Sequence, residues 1–377
     1  MGMKVGMKRV CKYRIYPSGS QERILIEWLD ICRWVYNEAL AARKNAWEQE
    51  QKRVSRYDTI KMLPEWKGQR PEIASVYSQV LQEVCTRVDL AFQAFFRRVK
   101  KGDKPGYPRF KGVGRYDSFT FPQSGFALAD GKLRLSKVGD IKIVLHCPLA
   151  GKVKTLTVRR SATGKWYACF SCELEDPIIL DSADSPVGID VGLEKFAMLS
   201  TGERIENPRF FRKEEKSLAR VQRRHAKKKT RKSKRVVAKV HERIANKRRD
   251  FAHQHSRRIV NEFDVICLED LNVQGMVRNH SLAKSISDVA WSQFKQFIAY
   301  KAEGAGKRAI LVDPRNTSKA CSRCGILVEK SLSDRMHRCS CGLEIDRDLN
   351  AAYNILRLGL QSLGKIPRSR ATLVAAE

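Results

Sequence analysis

No stretch of this chain approaches the about 18 consecutive apolar residues that a membrane-spanning helix needs, so no spanning segment is expected. No basic-then-apolar leader opens it either, which argues against a secretory signal. Acids are scarce. Against 73 Lys and Arg stand 41 Asp and Glu, for a formal charge of +32 and a pI near 10.0. Such a chain repels itself unless a polyanion neutralises it, so nucleic acid is the expected partner and a membrane surface the rival. An even disulfide set is lacking too, because the cysteines number 11. Seven of them (Cys11, Cys32, Cys85, Cys147, Cys169, Cys172 and Cys267) sit in apolar strand- or helix-like stretches. Buried free thiols in a reducing cytoplasm explain these better than a disulfide frame. No internal repeat is visible, and 377 residues leave room for two or three domains.

The pattern then divides the chain. Val10 to Tyr16 alternates like a strand, and Ser20 reads as the N-cap of a helix carrying Leu25, Trp28, Leu29 and Cys32. Helical texture continues to about Arg98, with Leu90, Phe92, Phe95 and Phe96 expected on one buried face. After a basic Gly- and Pro-rich loop the period changes to two. Ser118 to Phe121, Lys132 to Leu135, Ile141 to Leu145, Val153 to Arg159 and Trp166 to Glu173 read as strands of a small antiparallel unit. The first strand can belong to this unit, which makes the helices an insertion. A linker at 182–186 leads into a strand pair or one long strand over Val187 to Leu199. Strand, basic helices, strand at Phe263 to Leu268, helix at Ser287 to Glu303, strand at Arg308 to Val312 and a last helix from Asp348 form an α/β order.

Between Arg212 and Arg258 lies an extreme charge run with only a narrow apolar stripe, predicting long basic helices. Lys227-Lys228-Lys229-Thr230-Arg231-Lys232-Ser233-Lys234-Arg235 contains no acid, and Arg223 and Arg224 precede it. That imbalance favours a helix hairpin facing nucleic acid over a merely solvated one.

Three short segments carry the chemistry. Gly188-Ile189-Asp190-Val191-Gly192 places a carboxylate in the middle of a strand, where burial is prohibitive unless the acid is paired or metal-bound. The flanking glycines are expected to keep the backbone open to a ligand. Glu269 ends the strand Val265 to Leu268, the edge at which open α/β sheets bind ligands. Asp348 falls in the first turn of the last helix, beside Asp346, and either aspartate could cap it. Clustered acids cannot remain ionised together without cations. Two Mg²⁺ or Mn²⁺ ions held by Asp190, Glu269 and Asp348 would suit phosphodiester hydrolysis. Before the third acid stand Cys321-x-x-Cys324 and Cys339-x-Cys341, each pair followed by a glycine. Four thiolates with this spacing predict one closed, structural Zn²⁺ site, with His337 as a possible substitute ligand. Arg323, Arg335 and Arg338 around it could touch phosphate.

Taken together these residues resemble the TnpB (OrfB) family, RNA-guided nucleases encoded by insertion sequences and related to type V CRISPR effectors. The resemblance rests on Tyr13-Arg14-Ile15-Tyr16-Pro17 with Gln21, Arg33-Trp34-Val35-Tyr36-Asn37, and Gly106-Tyr107-Pro108-Arg109-Phe110-Lys111. It rests most on Thr317-Ser318-Lys319-x-Cys321-Ser322-x-Cys324-Gly325 and Asp346-Arg347-Asp348-x-Asn350-Ala351-Ala352. The Cys339-x-Cys341 pair departs from the family's commoner, wider spacing.

The resemblance implies an RNase H-like RuvC nuclease domain with an inserted zinc ribbon, and a wedge β-barrel with an inserted helical recognition domain. By residue, it implies barrel at 1–18 and 104–182, recognition helices at 19–103, RuvC-like motifs I and II with the basic helices at 183–319, zinc ribbon at 320–342, motif III at 343–360 and a flexible tail at 361–377. The implied partners are a guide RNA from the transposon end and double-stranded target DNA read beside a short adjacent motif, in the cytoplasm and at the nucleoid. The alternatives are a DNA transposase performing strand transfer and a nuclease-dead RNA-guided regulator. A plain RNA-binding protein with a zinc ribbon would have no use for Asp190.

Overall fold

The computed structural model describes residues 7–176, 185–276, 278–331 and 334–364, in two compact units, Met1–Glu175 and Asp176–Glu377. Most of the expected linker and of the expected tail lies outside the described residues.

The first unit opens with β1 (Lys8–Tyr16), whose alternation buries Cys11, Tyr13 and Ile15. Ser18, not Ser20, caps the helix that follows, α1 (Gly19–Glu50). Its hydroxyl accepts the Gln21 backbone N–H while the Gln21 side chain accepts the Ser18 N–H. Ser18 wins because it stands three residues before a glutamine, whereas Ser20 would have Arg23 in that place. Short helices α2 (Arg56–Lys61) and α3 (Leu63–Gln69) and a 3-10 turn lead to α4 (Ser78–Lys101).

On α4 the stripe Val80, Val84, Val88 and Phe92 is buried with α1's Trp28, Cys32 and Val35. The single aromatic face expected here is not formed, since Leu90 and Phe96 are each 54% exposed. Leu90 lies off the buried stripe, and Phe96 extends it past the last buried position of the helix.

Six more strands follow: β2 (Ser118–Phe121), β3 (Phe126–Ala129), β4 (Lys132–Leu135), β5 (Gly139–Val144), β6 (Lys152–Arg160) and β7 (Trp166–Glu173). They join β1 in one antiparallel sheet of order β2-β6-β7-β1-β5-β4-β3. The two edge strands are consecutive in the chain, joined only by residues 122–125, and the Phe121 and Phe126 rings are 6.2 Å apart. The sheet therefore curls into a nearly closed barrel, with the helices inserted after its first strand. All seven scattered cysteines are free thiols. Five are buried and two, Cys147 and Cys169, are half-buried.

The second unit begins with β8 (Pro186–Val191), β9 (Lys195–Leu199) and β10 (Arg204–Glu206), followed by α5 (Phe210–Lys228) and α6 (Arg231–Glu262). Next come β11 (Val265–Glu269), α7 (Val273–Met276), α8 (His280–Val289), α9 (Trp291–Gly304) and β12 (Arg308–Val312). The zinc-ribbon hairpin, β13 (Met336–Arg338) and β14 (Glu344–Asp346), leads into α10 (Arg347–Ser362). The sheet order is β10-β9-β8-β11-β12, with β8, β11 and β12 parallel and the first three strands antiparallel, an RNase H-like arrangement. The single helix expected over Ser287 to Glu303 is two helices, broken at Ala290 with φ +57°. No Gly or Pro marks the break. It leaves Asp288 buried, accepting bonds from Arg248 and from the Phe211 backbone N–H.

Helices α5 and α6 form a hairpin around Leu218, Val240 and Ile244. Its tip is set by Lys229 at φ +43°, by a Thr230–Ser233 capping box, and by His225 Nδ1 at 2.7 Å from Ser233 Oγ. Helix α10 lies flush on the sheet. A Cβ at Gly188 would collide with the Ala352 carbonyl, and one at Gly359 with the Cys267 sulfur. Gly188 thus serves helix–sheet packing rather than the ligand access expected of it.

Candidate active site and metal centre

Asp190 is the next-to-last residue of β8, not its middle, and is only half-buried. Strands β8 and β11 pair in parallel up to Ile189 opposite Leu268, so Asp190 and Glu269 follow that last pair at the same carboxyl edge. The flush seat of α10 sets Asp348, in its first turn, beside them.

The electrostatics join the three. The Asp190 carboxyl is pushed well above the usual carboxylate range, by burial first and then by the charges of Glu269, Asp348 and Asp346. Glu269 is raised by burial, against which a hydrogen bond from the Thr317 hydroxyl at 2.5 Å favours the ionised form. Burial would also raise Asp346, but Lys195 at 2.9 Å and the Leu349 and Asp348 backbone N–H groups hold it below the ordinary range. Asp346 is the helix cap, leaving Asp348 to face Lys195 at 3.9 Å and Arg347 at 3.4 Å. Asp270 is paired with Lys295 at 2.7 Å. The three acids do not meet at one point. Among the described residues, only the four cysteines form a group of donors lying within 4.8 Å of one another.

Those four are Cys321, Cys324, Cys339 and Cys341, with Sγ separations of 3.6 Å for Cys321–Cys341 and 3.5 Å for Cys324–Cys339. Tetrahedral Zn–S bonds of about 2.3 Å require sulfurs about 3.8 Å apart. Gly325 and Gly342, at φ +78° and +84°, make the turns after each pair. The Cys341 backbone N–H, foremost among several bonds, lowers the Cys339 thiol to about 7. His337 is buried outside this donor set, its Nδ1 against Lys330. Arg335 and Arg338 are paired with Glu194 and Glu344, each at 2.7 Å, while Arg323 is exposed.

Sequence reasoning assigned no role to the residues that link the two centres, although Asn350 lies in one of the signatures quoted above. Asn350 and Asn354, one turn apart on α10, are both buried. They donate to the Thr317 and Ala320 carbonyls at 2.7–2.8 Å, and Asn350 accepts the Ser322 N–H at 2.9 Å. Two polar side chains on the apolar face of a helix were the available signal. The basic residues Arg223, Arg224, Lys227, Lys228, Lys229, Arg231, Lys232, Lys234 and Arg235 cluster at the α5–α6 tip, all nine of them exposed. No helix among the described residues is long and apolar enough to cross a membrane.

Comparison with known proteins gives the same outline. Residues 291–355 match the model "Cas12f1-like, TNB domain", residues 169–280 "Probable transposase", and residues 3–52 "Helix-turn-helix domain", although the described part of the last is one strand and one helix. A "Putative RNA-guided DNA endonuclease" of Streptomyces pristinaespiralis is 37% identical over 368 residues, covering 94% of this chain and 90% of that one. The "Putative RNA-guided DNA endonuclease InsQ" of Escherichia coli K12 is 32% identical over 381 residues, covering 94% and 93%. The solved structure of a Cas12f1-sgRNA-target DNA complex shares the fold, with TM-score 0.58 at 13% identity over 93% of this chain and 99% of that one. Matched along nearly its whole length in sequence, the chain belongs to the TnpB family of RNA-guided DNA endonucleases.

Proposed function

We propose that the chain is an RNA-guided, metal-dependent DNA endonuclease of an insertion sequence, cutting double-stranded target beside a short adjacent motif. The observation that carries this is the convergence of Asp190, Glu269 and Asp348 on one sheet edge, where each neighbour's charge raises Asp190. The donor set fits hard divalent ions. Asp190, Glu269 and Asp348 would hold such ions between them, as phosphodiester hydrolysis by two divalent ions requires. When bound, Mg²⁺ or Mn²⁺ would supply a nucleophilic water at neutral pH and charge stabilisation for the leaving oxygen.

The chain's own residues prepare that site. Thr317 fixes the Glu269 carboxylate. Lys195 bridges Asp346 and Asp348, and Arg347 lies against Asp348, so both cations are near enough to take up phosphate charge. The four cysteines would hold one Zn²⁺ with no open position, a structural role. The basic hairpin tip would bind phosphates. The barrel (1–18 and 104–182) and inserted helices (19–103) act as wedge and recognition regions, leaving sequence specificity to base pairing. With one such acidic site among the described residues, the two strands are cut in turn, the displaced one first because it is already single.

Plasmid and labelled-oligonucleotide cleavage with matched and scrambled guide RNA, in Mg²⁺ and in chelator, tests this. Double-strand cutting is expected only with metal and the matched guide. Equal cutting with the scrambled guide, or joined strand-transfer products without any guide, would replace the reading with a transposase. Guided binding without cutting would replace it with a regulator.

A further inference from the structure

We propose that the aromatic patch at the end of α4 is a stacking platform for unpaired RNA bases. Four rings touch there. Phe92 and Phe96 are stacked with centroids 6.4 Å apart, Phe95 meets Phe96 at 5.2 Å, and Tyr107 packs on Phe92 at 5.6 Å and on Phe95 at 5.4 Å. Phe96 is 54% exposed and Tyr107 45% exposed. A contiguous apolar patch left in water marks an interaction surface. The loop bearing Tyr107 is fixed, because Asn37 bonds both the N–H and the carbonyl of Lys111, at 2.8 and 3.0 Å. Rings locked against one another form a rigid surface that loses little entropy on binding.

The surrounding charge selects the partner. From 97 to 115 there are eight Lys or Arg and one acid, Asp103. A protein partner would need to bring matching acids beside its apolar face. An unpaired nucleotide brings a π face and a phosphate together, and stacking on aromatic side chains is how proteins seize splayed RNA bases. The RNA that the proposed function supplies is the guide, which makes its unpaired bases the occupant. The identity of the RNA rests on the function proposed above. The stacking does not, since it is measured without metal or cleavage.

The experiment uses the full chain in chelator with a fluorescent single-stranded RNA oligonucleotide, the same sequence as blunt RNA duplex, and its DNA counterpart. Phe96→Ala and Tyr107→Ala are each expected to weaken single-stranded RNA about 5- to 100-fold, the effect of removing one stacked base. Duplex binding should change less than about twofold, and the salt slope should hold because every phosphate stays bound. Phe96→Tyr and Tyr107→Phe should bind as wild type. Ultraviolet crosslinking of the unaltered protein to the RNA should map to the peptide 94–115. Equal weakening of duplex, no weakening at all, or crosslinks elsewhere would overturn the proposal. A larger loss for single-stranded DNA would reassign the platform to the displaced strand. Wild-type self-association in sedimentation, abolished by Phe96→Ala, would show instead that a second copy covers it.

Discussion

The second unit carries two sets of metal-type donors, and they are built in opposite ways. The four sulfurs come from one short stretch, with Cys321 and Cys341 only 20 residues apart, and they close on one another. The three carboxylates come from β8, β11 and α10, with Glu269 hydrogen-bonded by Thr317 and Asp348 facing Lys195 and Arg347. A local, closed set of soft donors makes its own fold. An open set of hard donors depends on a fold made elsewhere, and its mutual repulsion is a cost that the rest of the sheet must offset. On the function proposed above the first set is architecture and the second is chemistry, so damage to each should be read by a different instrument.

The largest effect is expected at the acids. Asp190→Ala, Glu269→Ala or Asp348→Ala should each lower guided cleavage by about a thousandfold or more, because residues acting as a unit fail together. RNA retention and zinc content should stay at wild-type levels. Substantial cleavage by Asp348→Ala would move the third acid to Asp346.

Next comes the ribbon. Elemental analysis should find one zinc per chain, absent in Cys321→Ser. Hydrogen exchange should then show residues 317–346 unprotected while β8 and β11 stay protected. An ordered ribbon without metal would erase the contrast between the two centres.

The seam between helix and sheet sharpens it further. Gly188→Ala, which forces a methyl group against the Ala352 carbonyl, should destabilise the unit by about 1–3 kcal/mol in denaturant titration. Cleavage should fall by more than the unfolded fraction explains, since α10 carries Asp348. Unchanged cleavage would mean the acids tolerate a lifted helix.

The smallest effect is at the hairpin tip. Neutralising Lys227 to Arg235 should flatten the salt dependence of nucleic-acid binding by about 0.7–0.9 log units for each phosphate no longer bound, about equally for all sequences. An unchanged slope would return the tip to a solvated hairpin.

What can be read from the chain divides along the same line. Period-two strands such as Lys132–Leu135 and Trp166–Glu173 are legible because alternation records burial directly. The strand Phe126–Ala129 is not, because its Phe-Ala-Leu-Ala sequence is apolar throughout and shows no apolar–polar alternation. The break at Ala290 is invisible because tertiary bonds to Asp288, rather than a Gly or Pro, accompany it. The acids and cysteines stand out by residue type. Thr317, Asn350 and Asn354 do not, because their partners are distant in sequence and mostly backbone. The exposure of Phe96 is hidden since an apolar residue in helical register looks the same whether or not the helix is covered there.

Asn350 and Asn354 grip main-chain atoms of the ribbon, at 317, 320 and 322, rather than any of its side chains. Every sequence without proline at 322 offers those atoms. The last helix is therefore a socket that senses the path of the inserted loop and is blind to its spelling. A ribbon with other tip residues, or a longer tip, can be plugged into it by preserving the cysteines and the backbone course at three positions.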